Sequence, residues 1–190
     1  MEIKQFIHFM SLIEKLKCNT RHSWTSTGRE ESVAEHSWRL ALMAYFVKDE
    51  FPQLDIDKVI LMCLVHDFGE AITGDIPAFL KTQKDELVEN DAIDVLLNHL
   101  PHEQKSELEV IFEEMTELKT PEAKLYKALD KMEAVMQHNE ADISTWLPLE
   151  YELQMTYGSR EVAHSDYLMQ LKNELNDASR AKIEEESAIQ

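Results

Sequence analysis

Val59-Ile60-Leu61-Met62-Cys63-Leu64-Val65-His66-Asp67 decides how this chain is read. Seven apolar residues in a row, with Asp55 and Asp57 ahead of them as possible caps, predict a short helix buried on every side. The run is far below the roughly 18 residues of a membrane-spanning helix. It ends on an imidazole and a carboxylate, and an ionised carboxylate held away from water needs a partner. A divalent cation is one such partner. The alternative is a helix end reaching solvent, with His66 on a carbonyl and Asp67 capping the next turn.

Helical periodicity continues outward from this segment. Ile3, Phe6, Met10 and Ile13 recur every three or four residues, which predicts a helix over 2–17. Residues 18–31 show no period and read as a loop. Ser32-Val33-Ala34-Glu35 has the form of a capping box, so a helix starts there and runs to about 50, with His36 in its first turn. Leu87 to Leu96 and Leu108 to Met115 mark two more helices, separated by Leu100-Pro101. Thr120-Pro121 begins another through Leu125, Leu129, Met132 and Met136 to about Asn139. After a looser stretch with Trp146 and Pro148, Ala163, Tyr167, Leu171 and Leu175 mark the last. No strand is predicted. Four glycines and five prolines in 190 residues disfavour a turn-rich β fold or glycine-rich phosphate loops. The expected fold class is all-α, one domain over 1–178, with an acidic, frayed tail at 179–190.

Composition excludes some partners. With 19 basic and 37 acidic residues the formal charge is −18, which repels a long nucleic-acid backbone. No signal segment or membrane span is apparent, and Cys18 and Cys63 show no disulfide spacing, so a cytoplasmic protein is expected. A small anionic substrate then needs a local reversal of sign.

The chemistry-bearing residues come from three helices. His36 could be an ordinary core histidine, and Asp130 an ordinary salt bridge to Lys127. Together with His66 and Asp67 they make a mixed nitrogen and oxygen set suited to Zn, Mn, Fe, Co or Ni. A cation held by four protein groups keeps positions open for water and lowers its pKa, the mark of a hydrolase site. Glu70, four residues after His66 and three after Asp67, shares their face if the helix continues, and could move a proton. His8, His22, His99, His102, His138 and His164 show no ligand spacing and read as structural or surface residues. Lys81 and Lys84 could add positive potential.

The order His36, His66-Asp67, Asp130, with Glu35-His36-Ser37 and His66-Asp67-x-x-Glu70-Ala71-x-x-Gly74-Asp75-Ile76-Pro77, resembles the HD-domain phosphohydrolases. More closely it resembles their 5′-deoxynucleotidase branch, over roughly residues 5 to 175. The resemblance implies a bundle of about eight to ten helices and one divalent cation (Mn, Co, Zn, Fe, Ni or Mg) on His36, His66, Asp67 and Asp130. It implies that Glu70 and Asp75 flank the attacked phosphate and that Arg21 contacts it, a role a planar guanidinium suits. It also implies that Trp24 packs on the sugar, although some members place tryptophan directly after the arginine and Arg21-His22-Ser23-Trp24 does not. The expected reaction is hydrolysis of nucleoside 5′-monophosphates, with a homodimer through apolar faces after residue 85. Alternatives are phosphodiester or pyrophosphate hydrolysis on the same ligands, or a non-catalytic helical interaction module.

Overall fold

In the computed structural model, which describes residues 1–189, the apolar run is α3 (Ile56–Val65). Asp55 starts it, its carboxylate accepting from the Lys58 N–H at 3.1 Å. Val59, Met62 and Cys63 are fully buried, but Leu64 is 45 % exposed, so the helix is not buried all round as its sequence predicts. It lies between α2 (Val33–Phe46) and α7 (Pro121–Glu140), which supply the flanking apolar faces. Leu40, Leu125, Leu129 and Met132 fill the space between the three, and Leu168 closes it from α9 (Asp166–Ile189).

The helix starts follow local chemistry. Ser32 and Glu35 form the capping box that opens α2, and Thr120 accepts from the Ala123 N–H ahead of Pro121 to open α7. The predicted first helix divides into α1 (Ile3–Ile13) and a 3-10 turn, Glu14–Lys17, and α2 gives way to another 3-10 turn, Lys48–Glu50. The remaining helices are α4 (Glu70–Thr73), α5 (Gln83–Leu97), α6 (His102–Glu117) and α8 (Glu150–Thr156).

Two sequence expectations give way. The segment read as a loop contains a hairpin of β1 (Thr20–Trp24) and β2 (Glu30–Ser32), paired antiparallel as Thr20 with Ser32 and Trp24 with Glu30. Gly28, at φ 80°, makes its turn. Polar strands this short carry no alternating apolar pattern, and the hairpin is held by tertiary bonds instead. Gln137 Nε2 donates to the Trp24 carbonyl at 2.6 Å and Asn19 Nδ2 to the Glu70 carbonyl at 2.5 Å. The acidic segment expected to fray is helix through Ile189. Its anchor is the buried Ser179, whose hydroxyl donates to Asn139 Oδ1 at 2.7 Å. Gln190, the end of the expected tail, lies outside the described residues.

α9 also buries a cation. The Lys172 side chain donates to the Gln154 carbonyl at 2.7 Å, and burial pushes its pKa from 10.5 down to about 8. The unfolded chain therefore binds that proton more tightly than the folded one. Burial of Lys172 opposes folding below pH 8, and the opposition fades as pH rises from 8 towards 10.5. Lys172→Met is expected to gain up to about 3 kcal/mol over the native protein at pH 7, with that advantage shrinking by pH 10. Urea melts of both proteins at the two pH values test this; an advantage independent of pH contradicts it.

Candidate active site

Four side chains converge where α2, the end of α3 and the middle of α7 meet. His36 Nε2 lies 3.2 Å from His66 Nε2 and 3.2 Å from Asp130 Oδ1. His66 Nε2 lies 3.0 Å from Asp67 Oδ2 and 3.7 Å from Asp130 Oδ1. Donor atoms about 2.1 Å from one cation and at right angles stand about 3 Å apart, so the spacing fits a shared ion. Ligand atoms of His36, His66 and Asp67 all fall within 4.8 Å of one another. Asp130 also accepts from Lys127 Nζ at 2.8 Å, so the salt bridge and the place in the cluster coexist.

Both imidazoles are held from behind. His66 Nδ1 donates to the Cys63 carbonyl at 2.9 Å, which leaves Nε2 as a lone pair facing the cluster. His36 Nδ1 donates to the fully buried Glu133, which also accepts from Arg39 Nε at 2.7 Å. Carboxylates and carbonyls in these places fix the tautomer and raise ligand basicity. Glu133→Gln keeps the shape but removes the anionic partner of His36, and is expected to weaken cation binding 10–100-fold. Calorimetric titration with Mn2+ measures this, and an unchanged Kd rejects the role.

The electrostatics favour added positive charge. Burial and Arg21 work against a protonated His36, yet Glu133 and Asp130 outweigh them and raise it to about 9. Burial resists ionisation of Asp67 and Asp130, but His66 holds the first, and Lys127 with His36 the second, well below the carboxylate range. A cation supplies the charge these groups otherwise take from protons. Glu70 differs: burial first, then Asp67, Asp75 and Glu89, push it up to about 9, a rise that a cation among the same carboxylates opposes. Its Oε2 is buried without a partner.

The cluster opens into a polar cavity of about 360 Å³ lined by Arg21, Glu70, Asp75, Lys81 and Lys127 among others. Arg21 Nη1 sits 2.9 Å from Glu31 and 3.7 Å from Glu133, with Nε 4.0 Å from Asp75. Arg21, Asp75, Ala78 and Tyr157 also line a neighbouring slot of about 80 Å³, whose other walls include His22, Phe79, Val135 and Leu153. Lys81 pairs with Glu89 beside the polar cavity.

The sequence profile described as HD domain matches residues 13–172. The chain belongs to the HD-domain family. Curated proteins similar to this HD domain include human 5′-deoxynucleotidase HDDC2, 33 % identical over 141 residues, 72 % of this chain and 68 % of that one. HDDC2 of Xenopus laevis is 36 % identical over 138 residues, 70 % of this chain and 68 % of that one. Among solved structures, a protein named predicted metal-dependent phosphohydrolase from Magnetospirillum magnetotacticum MS-1 superposes with a TM-score of 0.80 at 26 % identity, covering 95 % of this chain and 96 % of that one. The cyanophage S-2L HD phosphohydrolase DatZ, bound to dA and one Zn2+, shares the fold at a TM-score of 0.55 and 20 % identity, covering 97 % and 98 %.

Within this HD domain, His36, His66, Asp67 and Asp130 stand together, and Glu70, Asp75 and Arg21 line the cavity beside them. Trp24 does not reach it. Its ring packs edge-on against His22 at 4.9 Å, and neither cavity wall includes it. His22 and His138, read from sequence as structural or surface residues, line the slot and face Glu150 Oε1 at 3.3 and 3.1 Å. The sequence reading also missed Glu133. Its signal was spacing, since Asp130 and Glu133 lie one turn apart beside an apolar stripe.

Proposed function

We propose that this HD domain is a metal-dependent phosphohydrolase of nucleoside 5′-monophosphates, a 5′-deoxynucleotidase. The observation that carries the reading is the junction at Arg21 and Asp75 between a polar cavity beside the His and Asp cluster and a more apolar slot. A phosphate and a nucleoside are a polar and an apolar body joined at one point. The relatives named 5′-deoxynucleotidase at 33 % and 36 % identity support the substrate class.

His36, His66, Asp67 and Asp130 would hold one divalent cation, which supplies Lewis-acid polarisation of phosphoryl oxygens and acidifies water. Arg21 would exchange its carboxylate partners for phosphate oxygens as a planar donor pair. Asp75, raised first by burial and lowered by Arg21, would orient that guanidinium at the phosphate. Glu70, with an unpartnered buried oxygen, would take a proton from water or return one to the departing 5′-oxygen. Trp24 would act on the sugar only through His22, by fixing that ring. His66-Asp67 with Glu70 intact speaks against a non-catalytic module.

The partner reading is a small nucleotide and a second copy of the chain, in the cytoplasm. Leu87, Val88 and Val95 on α5 and Val110 on α6 are exposed apolar side chains that a homodimer would cover, and two unpaired cysteines fit a reducing compartment. Among the described residues no helix is long and apolar enough to cross a membrane.

The test is phosphate release by chelator-stripped protein from ribo- and deoxyribonucleoside 5′-monophosphates, a 3′-monophosphate, a cyclic nucleotide and a triphosphate, with Mn2+, Co2+, Zn2+ or Mg2+ added back. Release restored by a cation and confined to the 5′-monophosphates, deoxy forms first, is expected. A protein that binds one cation but cleaves none of them keeps the site and loses this activity.

A further inference from the structure

We infer that Tyr157, oriented by Lys131, is a catalytic residue whose hydroxyl donates a hydrogen bond to the 5′-oxygen as that oxygen leaves phosphorus. The inference rests on the nucleotidase reading and adds a second group for the leaving oxygen, which that reading gives to Glu70 alone.

With the phosphate in the polar cavity and the nucleoside in the slot, the 5′-oxygen lies at the junction of the two. Four residues line both spaces there, Arg21, Asp75, Ala78 and Tyr157. The Ala78 methyl has no proton to give, and Asp75 faces the Arg21 guanidinium, which serves the phosphoryl oxygens. Tyr157 is the remaining donor. Its hydroxyl accepts from Lys131 Nζ at 2.7 Å, and an ammonium has no acceptor site, so the phenolic proton cannot be spent on Lys131. Among the described residues that hydroxyl has no other partner. Lys131 also lines the polar cavity, with Nζ 4.5 Å from the Tyr157 ring centre, so the free O–H stands beside a positive charge.

The backbone fixes Tyr157 in this place. Its N–H donates to the Leu153 carbonyl at 2.7 Å, closing the last turn of α8. The next residue, Gly158, has φ 76° and lies so close to α7 that a Cβ there would stand 2.8 Å from Lys131 Cβ. α7 also carries Asp130, so the helix that reaches the metal cluster holds the hydroxyl too. In the reaction a water oxygen joins phosphorus and the P–O bond to the sugar breaks, leaving its electron pair on the 5′-oxygen. Glu70 or water supplies the proton that this oxygen takes up, and Tyr157 keeps its own. A donor already aimed at the atom where charge develops stabilises the transition state more than the ground state.

The experiment measures kcat/KM of the metal-loaded protein for dAMP and for its analogue with sulfur in place of the bridging 5′-oxygen, in the native chain and in Tyr157→Phe, Lys131→Met and Lys131→Arg. Tyr157→Phe is expected to lower kcat/KM for dAMP about 10- to 100-fold, the worth of a hydrogen bond to a charged group. On the sulfur analogue the same variant should stay within about threefold of the native protein, because sulfur is a weak acceptor and leaves readily as a thiolate. Lys131→Met should lose less on dAMP with the same sparing of the analogue, and Lys131→Arg should restore it, with melting temperatures confirming the fold. Equal losses on the two substrates, or no loss on dAMP in a folded Tyr157→Phe, overturn the inference. Should Tyr157→Phe fail to fold, Lys131→Met decides: a loss confined to dAMP supports the inference, and an equal loss on both overturns it. A native protein that cleaves dAMP while its variants show no preference sinks only this inference; no release by the native protein sinks the nucleotidase reading beneath it.

Discussion

Asp67→Ala is expected to lower phosphate release about 100- to 1,000-fold, the size of effect seen when one preorganised electrostatic stabiliser is removed. Asp67 Oδ2 lies 3.0 Å from His66 Nε2, inside the cluster rather than beside it. The variant should also fail to gain stability from added cation. A site that binds an ion only in the folded state stabilises by about 2.7 kcal/mol when the free ion is at 100 times Kd. Thermal melts with and without Mn2+ separate the two effects. A variant that keeps its cation-dependent rise in Tm while losing activity would show that Asp67 serves the reaction and not the ion.

The second large effect concerns a residue away from the metal cluster. Gly158 has φ 76°, and a Cβ there would meet the Met132 methyl and stand 2.8 Å from Lys131 Cβ. Gly158→Ala therefore adds left-handed strain, ~1–2 kcal/mol, to overpacking of ~1–3 kcal/mol against α7. A loss of about 3 kcal/mol is expected from urea midpoints. The residue before it, Tyr157, lines both cavities and accepts from Lys131 Nζ at 2.7 Å, so activity should fall as well. A variant within about 0.5 kcal/mol of the native protein would mean that α7 yields to the added methyl.

The sequence reading reached the helices and the cluster because both leave local marks. An apolar run broken by His66-Asp67, a capping box ahead of His36 and a stripe beside Asp130 are each visible within a dozen residues. The substrate side left none. His22, His138 and Gln154 come from three separate elements and meet only in the folded chain, and β1 has too few apolar residues to announce itself as a strand. Trp24 shows the converse: the resemblance offered it for the sugar although its spacing from Arg21 departs from that of some members, and its ring packs on His22, outside the cavity walls. Glu133 was visible but ambiguous: a carboxylate next to an apolar stripe reads as a solvated face until burial shows otherwise.

α7 carries Asp130 at the metal cluster and Ala134, Val135 and His138 along the slot. Eight residues of helix separate Asp130 from His138, about 12 Å at 1.5 Å per residue. On the proposed reading, one rigid rod sets the interval between the scissile phosphate and the far end of the nucleoside, as a ruler would. A nucleoside diphosphate or triphosphate that placed its terminal phosphate at the cluster would hold its base beyond the slot. One that seated its base would carry the extra phosphate past the ligands. On that reading, selection for monophosphates would follow from the length of a helix and would ask for no dedicated group to reject the longer chain.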